Sequence, residues 1–175
     1  MNKVNCNICG KFIGYSENKI KVMCPVCGEA IINTSNNLTA IAFVDGSFNP
    51  ATNAYGFGGF VDYSNGEHVT LQGSDNNPEK AEMRNVSGEI AGAIAAVEDA
   101  IEHNASSIEI IYDYMGIEQW ATGKWKCNKL GTKEYACKMR EFMDVIEIKF
   151  TKVKGHTGVD GNEEADRLAK QAVGI

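Results

Sequence analysis

Leu38-Thr39-Ala40-Ile41-Ala42-Phe43-Val44-Asp45-Gly46-Ser47 is the stretch that decides the fold. Its apolar part is too short for an ordinary helix and is bounded by polar residues, so it reads as a strand buried in a sheet and ending on a carboxylate. Residues 48–53 read as a turn. Residues 54–63 are glycine-rich and aromatic, a second strand, and Ser64-Asn65-Gly66 is a hairpin signal. Residues 67–72 make a third strand, and the three together predict an antiparallel meander. Val86, Ile90, Ile94, Val97 and Ile101 then recur at helical spacing, which predicts a long helix over 86–103 with those residues as its buried face. A fourth strand over 107–113, short helices over 116–121 and 133–145, a fifth strand over 147–154 and a closing helix over 162–173 complete the chain. The order βββαβααβα describes an α/β domain, a mixed sheet with helices packed against it.

Three carboxylates stand where such a fold concentrates chemistry. Asp45 ends the first strand and Asp113 ends the fourth; if those strands are neighbours, the two side chains lie roughly 5 Å apart. Carboxylates that close repel each other and need a shared proton or a cation. Glu89 lies near the start of the long helix, after Ser87-Gly88, where small residues allow close approach to the sheet. A fourth acid, Asp166, lies in the last helix. Taken singly, each reads as a strand-end or helix-surface charge. Taken together, they form an oxygen-rich site for hard divalent cations such as Mg²⁺, and two such ions can cleave a phosphodiester.

The motifs carrying these acids, Asp45-Gly46-Ser47, Arg84-Asn85-x-x-x-Glu89, Tyr112-Asp113 and Lys154-Gly155-His156-x-Gly158-x-x-x-Asn162-Glu163-x-x-Asp166-x-Leu168-Ala169, occur in one order from about residue 39 to the C-terminus. In that combination the chain resembles cellular type 1 ribonuclease H. The resemblance implies a ribonuclease H-like fold with a five-stranded sheet of order 3-2-1-4-5, the first three strands antiparallel and strands 1, 4 and 5 parallel. It implies that Asp45, Glu89, Asp113 and Asp166 hold two Mg²⁺ (or Mn²⁺) ions. The implied reaction is hydrolysis of the RNA strand of an RNA–DNA hybrid, leaving 5′-phosphate and 3′-hydroxyl ends. It gives His156, in a glycine-flanked loop, a proton-transfer or product-release role, which suits a group that titrates near neutral pH. His68 and His103 read as structural or surface residues.

Such an enzyme must detect a 2′-hydroxyl on one strand only. The resemblance implies that Gly46, Ser47 and Asn85 contact the minor groove; read locally, Asn85 is a helix N-cap, and both roles are compatible. Met115 stands where the family often has glutamine, so a base-edge contact there is not expected. Residues 124–154 hold nine Lys/Arg against four acids in a chain of net charge −6, a segregated basic segment. Read locally, it is a solvated helix face and strand edge. By resemblance, Trp120, Trp125 and the surrounding lysines track the DNA strand, and 129–133 reads as a phosphate-holding turn.

The N-terminus carries a second signal. Cys6-Asn-Ile-Cys9-Gly10 and Cys24-Pro-Val-Cys27-Gly28 are separated by fourteen residues, a spacing close to that of a four-cysteine zinc site. Each following glycine permits the tight turn that aims two sulfurs at one ion. Iron in a rubredoxin-like site is the rival occupant. So short a stretch cannot bury enough core to fold alone, so one structural Zn²⁺ would supply the folding energy. We therefore expect a zinc-ribbon-like module over 1–36 and a catalytic domain over 37–175. The ribbon tethers hybrid, docks a protein or merely stabilises the chain. Cys127 and Cys137, far from the pairs, read as unbridged thiols.

Hydrophobic residues make up 43% of the 175, enough for a packed core. No apolar run approaches the ~20 residues of a membrane span, and no apolar signal core opens the sequence. A cytoplasmic monomer is the expectation. A proofreading exonuclease would carry Asp-x-Glu where this chain has Asp45-Gly46-Ser47. The alternative from another class is a catalytically inactive zinc-ribbon nucleic-acid-binding module on a nuclease-like scaffold, which would be expected to lack one of the four acids. A zinc-ribbon adaptor on an inert scaffold is a further rival, which metal-dependent hydrolysis would exclude.

Overall fold

The computed structural model describes residues 2–6, 9–16, 20–23, 26–27, 30–33, 38–154 and 160–175. The chain divides into two compact units, Met1–Asn37 and Leu38–Ile175. The first contains two antiparallel hairpins, β1 (Asn2–Asn5) with β2 (Phe12–Ser16) and β3 (Ile20–Met23) with β4 (Ala30–Asn33).

The second unit is an α/β fold. Its strands are β5 (Thr39–Asn49), β6 (Ala54–Tyr63), β7 (His68–Asp75), β8 (Ser107–Tyr112) and β9 (Glu147–Lys152). They form one sheet of order β7-β6-β5-β8-β9, the expected 3-2-1-4-5. The meander is antiparallel, and β5, β8 and β9 run parallel. The helices are α1 (Pro78–Ala81), α2 (Asn85–Glu102), α3 (Gly116–Ala121), α4 (Leu130–Met143) and α5 (Asp160–Ala172). α2 packs on the sheet with α3 and α4 beside it, and α5 packs on β5, β6 and β7. The core between α2 and the sheet centres on Ala42, Val44, Val61, Ala93, Val97, Ile108, Ile110 and Tyr112.

Several sequence expectations need correction. β5 does not stop at Asp45; it runs on to Asn49, and the turn expected over 48–53 is confined to 50–53. Gly46 pairs with Phe57, and the hairpin closes only at Asn49–Ala54, where Asn53 takes a positive φ of 57°. The buried face of α2 is also not the predicted stripe. Ile90 and Val97 are buried, but Val86, Ile94 and Ile101 are only partly so. Ser87, Gly88, Gly92, Ala93, Ala96 and Ala100 face inward instead. Small residues win there because the helix lies almost on the sheet backbone: a Cβ on Gly88 would sit 2.0 Å from the Gly56 carbonyl oxygen. The turn expected over 129–133 is the first turn of α4, with Lys129 at its N-cap position. α1, capped by the Asn77 side chain and opened by Pro78, is too short for periodicity to detect.

Candidate active site

β5 and β8 pair in parallel from Thr39–Ser107 to Phe43–Ile111, and continuing that register sets Asp113 level with Asp45. β8 ends at Tyr112 while β5 runs on to Asn49, so β5 has no β8 partner beyond Phe43. The start of α2 presses into the sheet there. A Cβ on Gly46 would lie 2.2 Å from the Asn85 carbonyl oxygen and 2.4 Å from the Glu89 nitrogen. Gly46 and Gly88 therefore act as a pair of missing side chains that let Glu89 reach the strand ends. On the other side, a Cβ on Gly58 would lie 2.1 Å from the Ala169 nitrogen, so α5 rests on the β6 backbone. The Gln72 amide donates to the Leu168 carbonyl at 2.7 Å and fixes α5 in place.

These approaches bring carboxylate oxygens of Asp45, Glu89 and Asp113 within 4.8 Å of one another. Glu89 is only 2% exposed, and its Oε2 has no hydrogen-bond partner among the described residues. Burial holds the Glu89 carboxyl well above the usual carboxylate range, reinforced by the charge of Asp45, a hydrogen bond with it, and the charge of Asp113. Burial also raises Asp45; its hydrogen bonds with Glu89 and the Gly46 N–H (2.7 Å) oppose the rise, and Asp113 and Asp166 add to it. A cluster of three acids with one orphaned buried oxygen is short of positive charge. A hard divalent cation fits that deficit by charge and by donor type.

An open cleft of about 600 Å³ surrounds the cluster, lined also by Gly46, Ser47, Phe48, Arg84, Asn85, Tyr114, Asp166 and Lys170. Asp166 therefore shares the cleft but stands outside the tight group of three. Its Oδ2 instead accepts a 2.6 Å bond from Lys170, whose ammonium is held above its usual pKa by that bond, by the charge of Asp166 and, more weakly, by that of Asp45. Ser47 is buried and Asn85 exposed. Asn85 is the first residue of α2, not its N-cap; that position belongs to Arg84, which makes no side-chain cap bond and holds φ 53°, an uncommon value for a non-glycine residue. The sequence reading gave Arg84 no role beyond its motif and did not single out Lys170. Lys170 was discoverable, since it lies four residues after Asp166 on one helix face. His156 lies outside the described residues.

Beside the cleft and sharing Tyr114 with it is a second depression of about 350 Å³. Met83, Val86, Trp120, Lys126, Asn128, Lys129 and Thr132 also line it. Tyr114, Trp120 and Trp125 form a chain of rings, with centroids 5.8 and 5.9 Å apart. The basic segment is partly neutralised: Lys124 pairs with Glu118 and Lys138 with Glu98. Lys126 and Lys133 have no ion pair among the described residues. His68 pairs with Asp62 (2.6 Å) and stacks on Phe60, and His103 stacks on Tyr63 beside Glu67, both outside the cleft. Cys127 and Cys137 form no disulfide.

In the N-terminal unit, sulfurs of Cys6, Cys9 and Cys27 lie within 4.8 Å of one another, with Cys6 and Cys27 3.6 Å apart. The Cys9 N–H approaches the Cys6 sulfur at 3.4 Å, and Gly10 closes the turn at φ 71°. A tetrahedral ion with ~2.3 Å bonds to sulfur sets its ligands roughly 3.8 Å apart, so these three fit one. Cys24 lies outside the described residues.

A five-stranded mixed sheet that brings three acids together at the end of its parallel pair defines a ribonuclease H-like protein. The RNase H family model matches residues 37–174, and the chain belongs to that family. Curated relatives include ribonuclease H1 of Rattus norvegicus, 33% identical over 99 residues, and of Homo sapiens, 34% identical over 99 residues. Each match covers 50% of this chain and only 34% of the relative, so the shared segment spans about a third of those proteins. Among solved structures, an N-terminal RNase H domain from Mycobacterium tuberculosis superposes with TM-score 0.64 at 19% identity, covering 78% of this chain and 94% of that one. RNase H1 of the archaeon Halobacterium salinarum gives 0.61 at 25% identity, covering 77% and 97%. LC11-RNase H1, solved in complex with an RNA/DNA hybrid, gives 0.59 at 16% identity, covering 77% and 99%.

Proposed function

We propose that this chain is a type 1 ribonuclease H, a divalent-ion-dependent endonuclease that hydrolyses the RNA strand of RNA–DNA hybrids and leaves 5′-phosphate and 3′-hydroxyl ends. The observation that carries this reading is the convergence of Asp45, Glu89 and Asp113 around an orphaned buried oxygen. Those three residues would hold one Mg²⁺ or Mn²⁺ ion, and Asp45 with Asp166 a second. The ions supply positive charge against the charge that develops on the phosphodiester and make water a better nucleophile. The protein's own part is positional. The Gly46–Gly88 contact fixes Glu89 against Asp45 on β5, and the open cleft around the acids leaves room for a backbone to enter. Gly46, Ser47 and Asn85 line the cleft where a 2′-hydroxyl would be read, and Arg84 offers a cation to a phosphate. His156 is carried from its motif as the group that moves a proton. The ring chain from Tyr114 to Trp125, with Lys126 and Lys129, suits the other strand, because aromatic faces pack on sugars and bases while lysines meet phosphates.

The test is a panel of four labelled substrates in Mg²⁺: RNA–DNA hybrid, double-stranded RNA, double-stranded DNA and single-stranded RNA. Cleavage confined to the RNA of the hybrid is expected. Equal cutting of double-stranded RNA would reject the assignment, since recognition would then not depend on a DNA strand.

For the N-terminal unit we propose a four-cysteine zinc ribbon, Cys6, Cys9, Cys24 and Cys27 holding one structural Zn²⁺, that tethers hybrid to the catalytic unit. Residues 1–37 carry four lysines and two acids, a mildly basic surface. Removing residues 1–36 should raise KM for hybrid about three- to tenfold with kcat unchanged, the signature of lost uniform binding. Steady-state kinetics checks this; an unchanged KM would assign the ribbon elsewhere.

A further inference from the structure

Of the four acids in the cleft, three converge and one does not. Asp45, Glu89 and Asp113 have no basic partner among the described residues. Asp166, set apart from them, has one: Lys170, one helical turn further along α5, at 2.6 Å. Lys170 lines the same cleft, which holds two cationic side chains among the described residues, Arg84 and Lys170. The pair lines the same cleft as the buried cluster that carries the unpartnered Glu89 Oε2. It is an exposed i,i+4 pair: the Lys170 side chain is 49% exposed on a flexible stem, so separating the pair costs little.

From this arrangement we infer that Lys170 is the resident counter-ion of the cleft, an internal competitor that holds Asp166 back from the cluster until a divalent ion displaces it. The inference rests on the reading of the cluster as a divalent-ion site. Its logic is electrostatic. With Lys170 on Asp166, the cleft is partly neutralised and its fourth ligand is occupied. A divalent ion must break that pair to recruit Asp166, and it then meets repulsion from the displaced ammonium. Lys170 therefore lowers the affinity for the ion and keeps it exchangeable, and the released ammonium stays within reach of an anionic substrate strand. Lys170 is a positioning residue in this scheme, acting through Asp166.

The experiment is Mn²⁺ binding to the full chain without nucleic acid, followed by electron paramagnetic resonance of unbound Mn²⁺. The wild type is compared with Lys170→Met, which is apolar and similar in length, and Lys170→Arg, which keeps the charge. Asp113→Asn identifies the binding that belongs to the cleft. Lys170→Met should bind Mn²⁺ about threefold to thirtyfold more tightly than the wild type, because one positive charge near the ion is gone. Lys170→Arg should stay within about twofold. Equal or weaker binding by Lys170→Met, with cleft binding intact in the wild type, overturns the role of Lys170 alone. Absence of Asp113-dependent binding in the wild type overturns the divalent-site reading and this inference with it.

Discussion

Glu89→Gln should abolish hybrid cleavage, by about 10³-fold or more in kcat, while making the metal-free protein more resistant to heat. The two effects have one cause. Glu89 is buried against Asp45 and Asp113, so its carboxylate form is costly in the folded chain and its pKa stands well above the usual range, first through burial and then through Asp45. A carboxyl whose folded pKa is raised stabilises the fold fully below its unfolded pKa, and that contribution is lost as pH rises through the folded value. The metal-free wild type should therefore lose stability as pH rises above the ordinary carboxylate range. Glutamine cannot ionise and mimics the protonated acid, so the variant should show a flatter profile. Mg²⁺ should restore the wild type at high pH and leave the variant nearly unmoved. Thermal melts from about pH 5 to about pH 8.5, with and without Mg²⁺, check all three. A variant less stable than the wild type at high pH without metal would contradict the account of the cluster as a repulsive, cation-seeking site.

Gly88→Ala is the second large effect, and it acts through the backbone. The new methyl would meet the Gly56 carbonyl oxygen at 2.0 Å and the Gly46 Cα at 2.9 Å, so α2 must lift from the sheet. Overpacking of this kind costs about 3 kcal/mol. A shift on the order of 1 Å at Glu89 should cost roughly 10²-fold in kcat beyond the stability loss. Gly92→Ala, one turn along, is the matched control. Its methyl would meet the Phe57 Cβ at 3.1 Å and the Val44 Cβ at 3.3 Å, contacts that a few tenths of an ångström of backbone adjustment relieve, far less than Gly88 would require. Helix propensity favours alanine there, so its effect should stay under about 1 kcal/mol. Chemical denaturation and single-turnover cleavage distinguish the two; indistinguishable variants would contradict the close-approach argument.

Gly88 also shows where sequence reading stopped. The order of strands and helices was legible because the apolar runs around Val44 and Ile110 and the hairpin signal at Gly66 are local. The three converging acids were legible because Asp45 closes a local apolar run, Asp113 follows the end of β8 and Glu89 lies in the first turns of α2. The buried face of α2 was misread because periodicity favours the bulky residues Val86, Ile94 and Ile101. The sheet demands small ones there, since Gly46, Gly56 and Gly88 bring two backbones together. The extension of β5 to Asn49 depends on pairing with β6, a long-range contact that no short window contains. The separation of Asp166 from the other acids was hidden for a like reason. It depends on where α5 rests against β5, β6 and β7, a long-range contact, although the Lys170 partner one helical turn on is local.

The central claim is that these carboxylates make the chain a divalent-dependent nuclease for the RNA of a hybrid. It is tested most directly by following a labelled RNA strand, annealed to DNA, with the wild type and with Asp113→Asn, each in Mg²⁺ and in EDTA. The account predicts cleavage by the wild type in Mg²⁺ and in no other arm. Cleavage by Asp113→Asn at the wild-type rate, or by the wild type in EDTA, would contradict it.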